Sequence, residues 1–127
     1  MRYSSQGQQL CLSAHDELFI IDLERVLYMQ ADDHYTDVYY TSGNHFLVPF
    51  GLVKIEAAIA TLPDIRLYMM RLGRKYIVNT RRIFRINTIT ELVYLSSTSG
   101  ENISLHVSKP VLRGLIDILR NGERLLL

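Results

Sequence analysis

The apolar positions of this chain change period twice, and the changes outline its elements. Leu10–Ala14 and Glu17–Ile21 are short apolar runs parted by His15-Asp16, the pattern of a hairpin. Asp22-Leu23-Glu24-Arg25 reads as a turn or a single helical turn. Val26–Ala31 is strand-like, Asp32-Asp33-His34 is a polar break, and Tyr35–Tyr40 is rich in Tyr, Thr and Val, which favour strands. Ser42-Gly43-Asn44 then forms a turn before a further strand at His45–Pro49. Residues 26–49 therefore predict an antiparallel meander.

Leu52, Ile55, Ile59 and Leu62 follow at helical spacing, and Leu62-Pro63-Asp64 ends that helix. Strand-like runs return at Leu67–Met70, at Lys75–Asn79 beyond a break at Gly73, and at Ile83–Ile89, Leu92–Leu95 and Asn102–Val107, with Ser96–Gly100 as a hairpin loop. Ser108 as N-cap and Pro110 in the first turn open a last helix. Its apolar face is Val111, Leu112, Leu115, Ile116 and Leu119, and Asn121-Gly122 is expected to stop it. The fold expected is mainly β, with two helices packed on sheet faces.

The totals narrow the class. A chain of 127 residues, 48% hydrophobic and 21% charged, fits one globular domain. No apolar run approaches the ~20 residues of a membrane span, and the first residues lack the apolar stretch of a signal peptide. Cys11 is the only cysteine, which excludes an internal disulfide. It is expected to be a small buried residue on a strand. These features imply a cytoplasmic protein.

Charge changes the picture more. Residues 1–65 carry 9 acids against 3 bases, whereas residues 66–127 carry 4 acids against 11 bases. Seven of the 14 Lys and Arg residues fall between Arg66 and Arg85, a stretch without Asp or Glu. A solvated basic face usually interleaves Glu with Lys. Its absence here points to a polyanionic partner, nucleic acid first. Arg71-Leu72-Gly73-Arg74-Lys75-Tyr76 places long donors around a glycine, as a loop that reads base edges and phosphates requires. Ser108-Lys109 stands at a helix N-terminus, whose free N–H groups suit phosphate. Asn79 reads as a turn or cap residue.

Catalytic chemistry finds no support. There is no Gly-rich phosphate loop, HExxH or GxSxG motif. His15, His34, His45 and His106 are scattered without metal-ligand spacing, and Asp32-Asp33-His34 reads as a polar turn. Neither an enzymatic activity nor a cofactor, metal or small-molecule substrate is expected.

Three segments resemble one family. They are Val26-Leu27-Tyr28-Met29-Gln30-Ala31 with Tyr35 shortly after, Tyr68-Met69-Met70-Arg71-Leu72-Gly73-Arg74-Lys75-Tyr76-Ile77-Val78-Asn79, and Val107-Ser108-Lys109 opening a helix. Together they are similar to the LytTR (LytR/AlgR-type) DNA-binding domain, over roughly residues 10–120, with 1–9 as an N-terminal extension and 121–127 as a C-terminal tail. The resemblance implies an elongated sandwich of short antiparallel sheets. It implies a sequence-specific, double-stranded DNA-binding transcription regulator whose loops enter successive major grooves, usually at direct repeats and as a homodimer on DNA.

By the same resemblance, Tyr35, Arg74 and Lys109 would read bases, and His34, Arg71, Lys75, Arg81 and Ser108 would hold the DNA backbone. Gln30 stands where the family usually has Glu, and Gly73-Arg74-Lys75 where it has His-Arg-Ser, so Gly73 is expected to loosen that loop. Family members commonly follow a receiver domain or a membrane segment. This sequence has room for neither, so a stand-alone domain or a fragment is expected. The alternative function is a protein-interaction module that modulates related regulators without binding DNA, using Tyr35, Tyr39 and Tyr40 as its interface.

Overall fold

A computed structural model of the protein describes residues 8–123. The expected extension and tail therefore lie outside the described residues at 1–7 and 124–127. Three antiparallel sheets and two helices make up the described part. Strands β1 (Gln9–Ala14) and β2 (Glu17–Asp22) form a hairpin. β3 (Val26–Asp32), β4 (Tyr35–Tyr40), β5 (His45–Val48), β6 (Met69–Leu72) and β7 (Tyr76–Asn79) form a sheet in the order β5-β4-β3-β7-β6. β8 (Ile83–Asn87), β9 (Leu92–Ser96) and β10 (Asn102–His106) form a third sheet with β9 central. Helix α1 spans Leu52–Ile59 and α2 spans Lys109–Glu123. No helix among the described residues is long and apolar enough to cross a membrane.

The five-stranded sheet is the middle layer, and strand alternation splits its side chains between two cores. Met29, Val38 and Ile77 join the first core with Leu10, Leu12 and Ile21 of the hairpin and Leu52, Ile55 and Ile59 of α1. Tyr76 and Val78, the neighbours of Ile77, face the second core with Val93, Leu95 and Leu105 of the third sheet and Leu112 and Leu115 of α2. Each fully buried aliphatic side chain contributes about 1.5–3 kcal/mol. A register shift between Val26 and Tyr28 is a bulge, and it lets Leu27 and Tyr28 both enter the second core.

Several boundaries differ from the sequence reading. α1 stops at Ile59, and Leu62 packs on the core from a turn instead of from the helix. The run at Leu67 is no strand: a 3-10 turn at Ile65–Leu67 precedes β6, with Leu67 exposed. Past Pro63 the chain needs a tight turn to reach the sheet edge, and the Tyr68 amide closes it on the Ile65 carbonyl. α2 runs through Asn121-Gly122 to Glu123, since a glycine costs little in a last helical turn. Cys11 is exposed, a correction to the buried reading. Leu10 and Leu12 take the inward positions of β1, so alternation turns Cys11 outward.

Candidate nucleic-acid interface

Chain direction decides which basic residues meet. β6 and β7 are a hairpin, so the turn 73–75 lies at one end of the five-stranded sheet and the 3-10 turn Thr80–Arg82 at the other. The Ala31 amide donates to the Lys75 carbonyl at 2.8 Å, which brings the β3–β4 turn, Asp33-His34, to the same end as Arg74 and Lys75. A cleft of about 170 Å³ joins the Arg74-Lys75 turn to the start of α2, lined by Gly73, Arg74, Lys75, His106, Val107 and Ser108. His34 with Tyr35 at the start of β4, Arg74 with Lys75, and Ser108 with Lys109 at the start of α2 thus lie toward one end of the central sheet.

Cations and acids meet at this end, since the β3–β4 hairpin carries exposed Asp32 and Asp33 beside the basic turn. Among the described residues, the Arg74, Lys75 and Lys109 side chains enter no ion pair or hydrogen bond. Arg74 and Lys75 are exposed, and Lys109 is half-buried. Tyr35 is 49% exposed, enough to offer its ring to a partner. His34 lies 3.7 Å from Asp33 with both side chains in solvent.

The turn that carries Arg74 is braced. Gly73 has φ +66°, a left-handed conformation that suits glycine. Arg71 Nε donates to the Gly73 carbonyl at 3.0 Å, Nη2 to the Arg74 carbonyl at 3.2 Å, and Nη1 to Glu56 Oε1 on α1 at 2.8 Å. The expected loosening at Gly73 is therefore offset by a guanidinium that fixes two carbonyls of the turn. Arg71, expected on a DNA phosphate, has its donors engaged inside the protein.

Arg81, the other expected phosphate contact, is carried away from this surface. It lies beyond the far end of β7, about 15–20 Å along the chain from Lys75 at ~3.3 Å per residue. Its guanidinium stacks 3.9 Å above the ring of Tyr68. Burial raises the pKa of that phenol, with the Arg81 charge acting in the opposite direction. Asn79 is the cap the sequence suggests: Oδ1 accepts from the Arg81 amide at 3.0 Å, and Nδ2 donates to the Val26 carbonyl at 2.9 Å.

One residue of this end escaped the sequence reading. Glu91 Oε2 accepts from the Lys109 amide at 2.7 Å, and Oε1 lies 3.3 Å from His106 Nε2. Its carbonyl also accepts from the Val107 amide. Glu91, on the β8–β9 turn at φ +59°, therefore anchors the start of α2. The Ser108 hydroxyl, expected to cap the helix, makes no hydrogen bond among the described residues and is left exposed. The only hint in the sequence was an acid standing alone between Arg66 and Gly100.

The tyrosine-rich strand is mostly committed to the fold. Tyr39 stacks between Tyr28 at 4.4 Å and His45 at 4.7 Å, and burial raises the pKa of both tyrosines. The Tyr40 hydroxyl accepts from the Asp22 amide at 3.1 Å, and its ring meets Phe46 and Arg25. Only Tyr35 of the three is free to act as an interface.

A profile of the LytTr DNA-binding domain family matches residues 16–120. Among solved structures, this chain is similar to the LytTr DNA-binding domain of a Bacillus cereus protein described as a methyl-accepting/DNA response regulator. The TM-score is 0.60 and the identity 24%, over 87% of this chain and 95% of that one. At this identity the likeness is one of fold. No curated protein matches the chain.

Proposed function

Since the chain belongs to the LytTr DNA-binding domain family, we propose that it is a cytoplasmic transcription regulator that binds double-stranded DNA sequence-specifically through the three turns at one end of its central sheet. The observation that carries this reading is the shared cleft between the Arg74-Lys75 turn and the start of α2, with exposed cations that no acid among the described residues pairs. Arg74 is the base reader of the set: a long forked donor on a braced turn fits the paired acceptors of guanine in a major groove. Tyr35 and Lys109 reach bases on either side. His34, Lys75 and the Ser108 hydroxyl meet phosphate.

Arg71 takes a different part from the one its sequence position suggests. It shapes the turn that presents Arg74 and leaves phosphate binding to its neighbours. Two copies on a direct repeat would multiply the affinity of a single domain.

Selection of bound duplexes from a random pool tests the reading. A recurring pair of motifs at fixed spacing is expected. Enrichment of no motif, together with salt-insensitive binding of random duplex, would refute it.

A further inference from the structure

A second cavity lies on the flank of the molecule, away from the three turns. It occupies about 310 Å³ between α1 and the edge strand β6. Ile59, Met69 and Ile77 give it an apolar floor, and Arg66, Arg71 and Glu56 stand around it. Its size reaches the lower range of small-molecule sites, which are apolar with a few convergent polar groups. Two arginines and one glutamate line it, and Arg71 pairs with the glutamate. The Arg66 side chain enters no ion pair or hydrogen bond among the described residues.

We propose that this groove binds an amphipathic monocarboxylate, a medium-chain fatty acid, with its hydrocarbon on the apolar floor and its carboxylate between Arg66 and Arg71. The charge balance selects a single anion, because a guanidinium pairs a carboxylate through two parallel hydrogen bonds. The apolar floor selects a hydrocarbon tail over a free phosphate.

Occupancy has a consequence because Arg71 belongs to both sites. Its Nη1 meets Glu56 beside the cavity, and its Nε and Nη2 hold the carbonyls of Gly73 and Arg74. A ligand carboxylate competes for the same donors and draws the guanidinium out of the turn. The turn that presents Arg74 then loses its brace, and DNA affinity falls. This second step rests on the DNA-binding reading, whereas the ligand site does not.

Octanoate is the probe, titrated into the full chain while the methyl resonances of Met69 and Met70 and the amide of Gly73 are followed by NMR. Saturable shifts at all three are expected. Octanol, which lacks the charge, should bind about tenfold more weakly, as should octanoate to Arg66→Gln. Ala60→Phe, at an exposed position of the groove, should abolish the methyl shifts. Octanoate should weaken DNA binding by about fivefold in the parent chain and leave Ala60→Phe unaffected.

Absence of saturable methyl shifts up to millimolar octanoate would overturn the site. Equal binding of octanol would overturn the carboxylate class. Methyl shifts with a static Gly73 amide, or with unchanged DNA affinity, would overturn the linkage. A chain that binds octanoate but no DNA would sink only the DNA reading, and the Gly73 amide would still report the linkage.

Discussion

Arg74 and Arg81 lie a single short strand apart, yet they have opposite fates. Arg74 stands at the tip of a braced turn with its side chain unpaired among the described residues, at the end of the sheet where three turns gather. Arg81 sits beyond the other end of β7, flat on the ring of Tyr68. Arg25 over Tyr40 and Arg85 over Tyr94 repeat that arrangement. The same residue type is left free to meet a partner at one end and serves surface packing at the other, where a guanidinium covers an aromatic face. A run of cations in sequence is therefore not a patch in space until the hairpin direction is known.

The sharpest way to break this contrast is to remove each arginine in turn. Arg74→Ala should cost about 1–3 kcal/mol of specific DNA binding and relax discrimination at one base position. Arg81→Ala should leave DNA affinity nearly unchanged and lower stability by about 0.5–1 kcal/mol through its lost ring contact. Anisotropy titrations and urea melts of both variants check the pair. Equal losses of DNA affinity would erase the distinction between the two ends.

The backbone under Arg74 comes next. Gly73→Ala forces a Cβ into a left-handed conformation and should cost about 1–2 kcal/mol. Nothing lies within 4 Å of the added Cβ, so the cost is conformational and not steric. The chain can relieve it by changing the turn, which shows as lost DNA affinity with little change in melting temperature. A large drop in melting temperature with DNA affinity intact would mean that the turn holds its shape but is not where DNA is read.

Salt dependence separates neighbours within the braced turn. Lys75→Ala should flatten the plot of log affinity against log salt by about one unit, as expected for a lost phosphate contact. Arg71→Ala should lower affinity without changing that slope, because its donors face Glu56 and two carbonyls instead of phosphate. Matching slopes for the two variants would return Arg71 to the DNA backbone.

The order of strands and helices could be read from the sequence because it is written in local periodicity. The meander 26–49 alternates and is bounded by turn residues, and the core face of α1 repeats at helical spacing. The bulge at Leu27 was hidden, since it breaks the alternation by a single residue. Motif and charge singled out Arg74, Lys75, Ser108 and Lys109, which the fold places near one end of the central sheet. The roles of Arg71 and Arg81 could not, because they depend on Glu56 and on Tyr68, which a one-dimensional reading gives no reason to pair with them. Glu91 was invisible for the same reason: its partners His106, Val107 and Lys109 come from a strand end and a helix start that only the fold brings to it.

Glu91 also offers the smallest and most diagnostic perturbation of the comparison between the two ends. Its carboxylate anchors α2 beside the cleft, yet its negative charge would oppose any phosphate brought to the same place. Glu91→Gln keeps an oxygen for the Lys109 amide and removes the charge. An acid at a helix N-terminus contributes about 0.3–1 kcal/mol, so the variant should be less stable by that amount. DNA binding should tighten by about threefold at low salt, with the gain shrinking as the Debye length contracts. Stability and affinity are thus expected to move in opposite directions, as thermal melts and anisotropy at two salt concentrations would reveal. If both fall together, Glu91 acts only by organising the start of α2, and phosphate does not approach the protein at this end of the sheet.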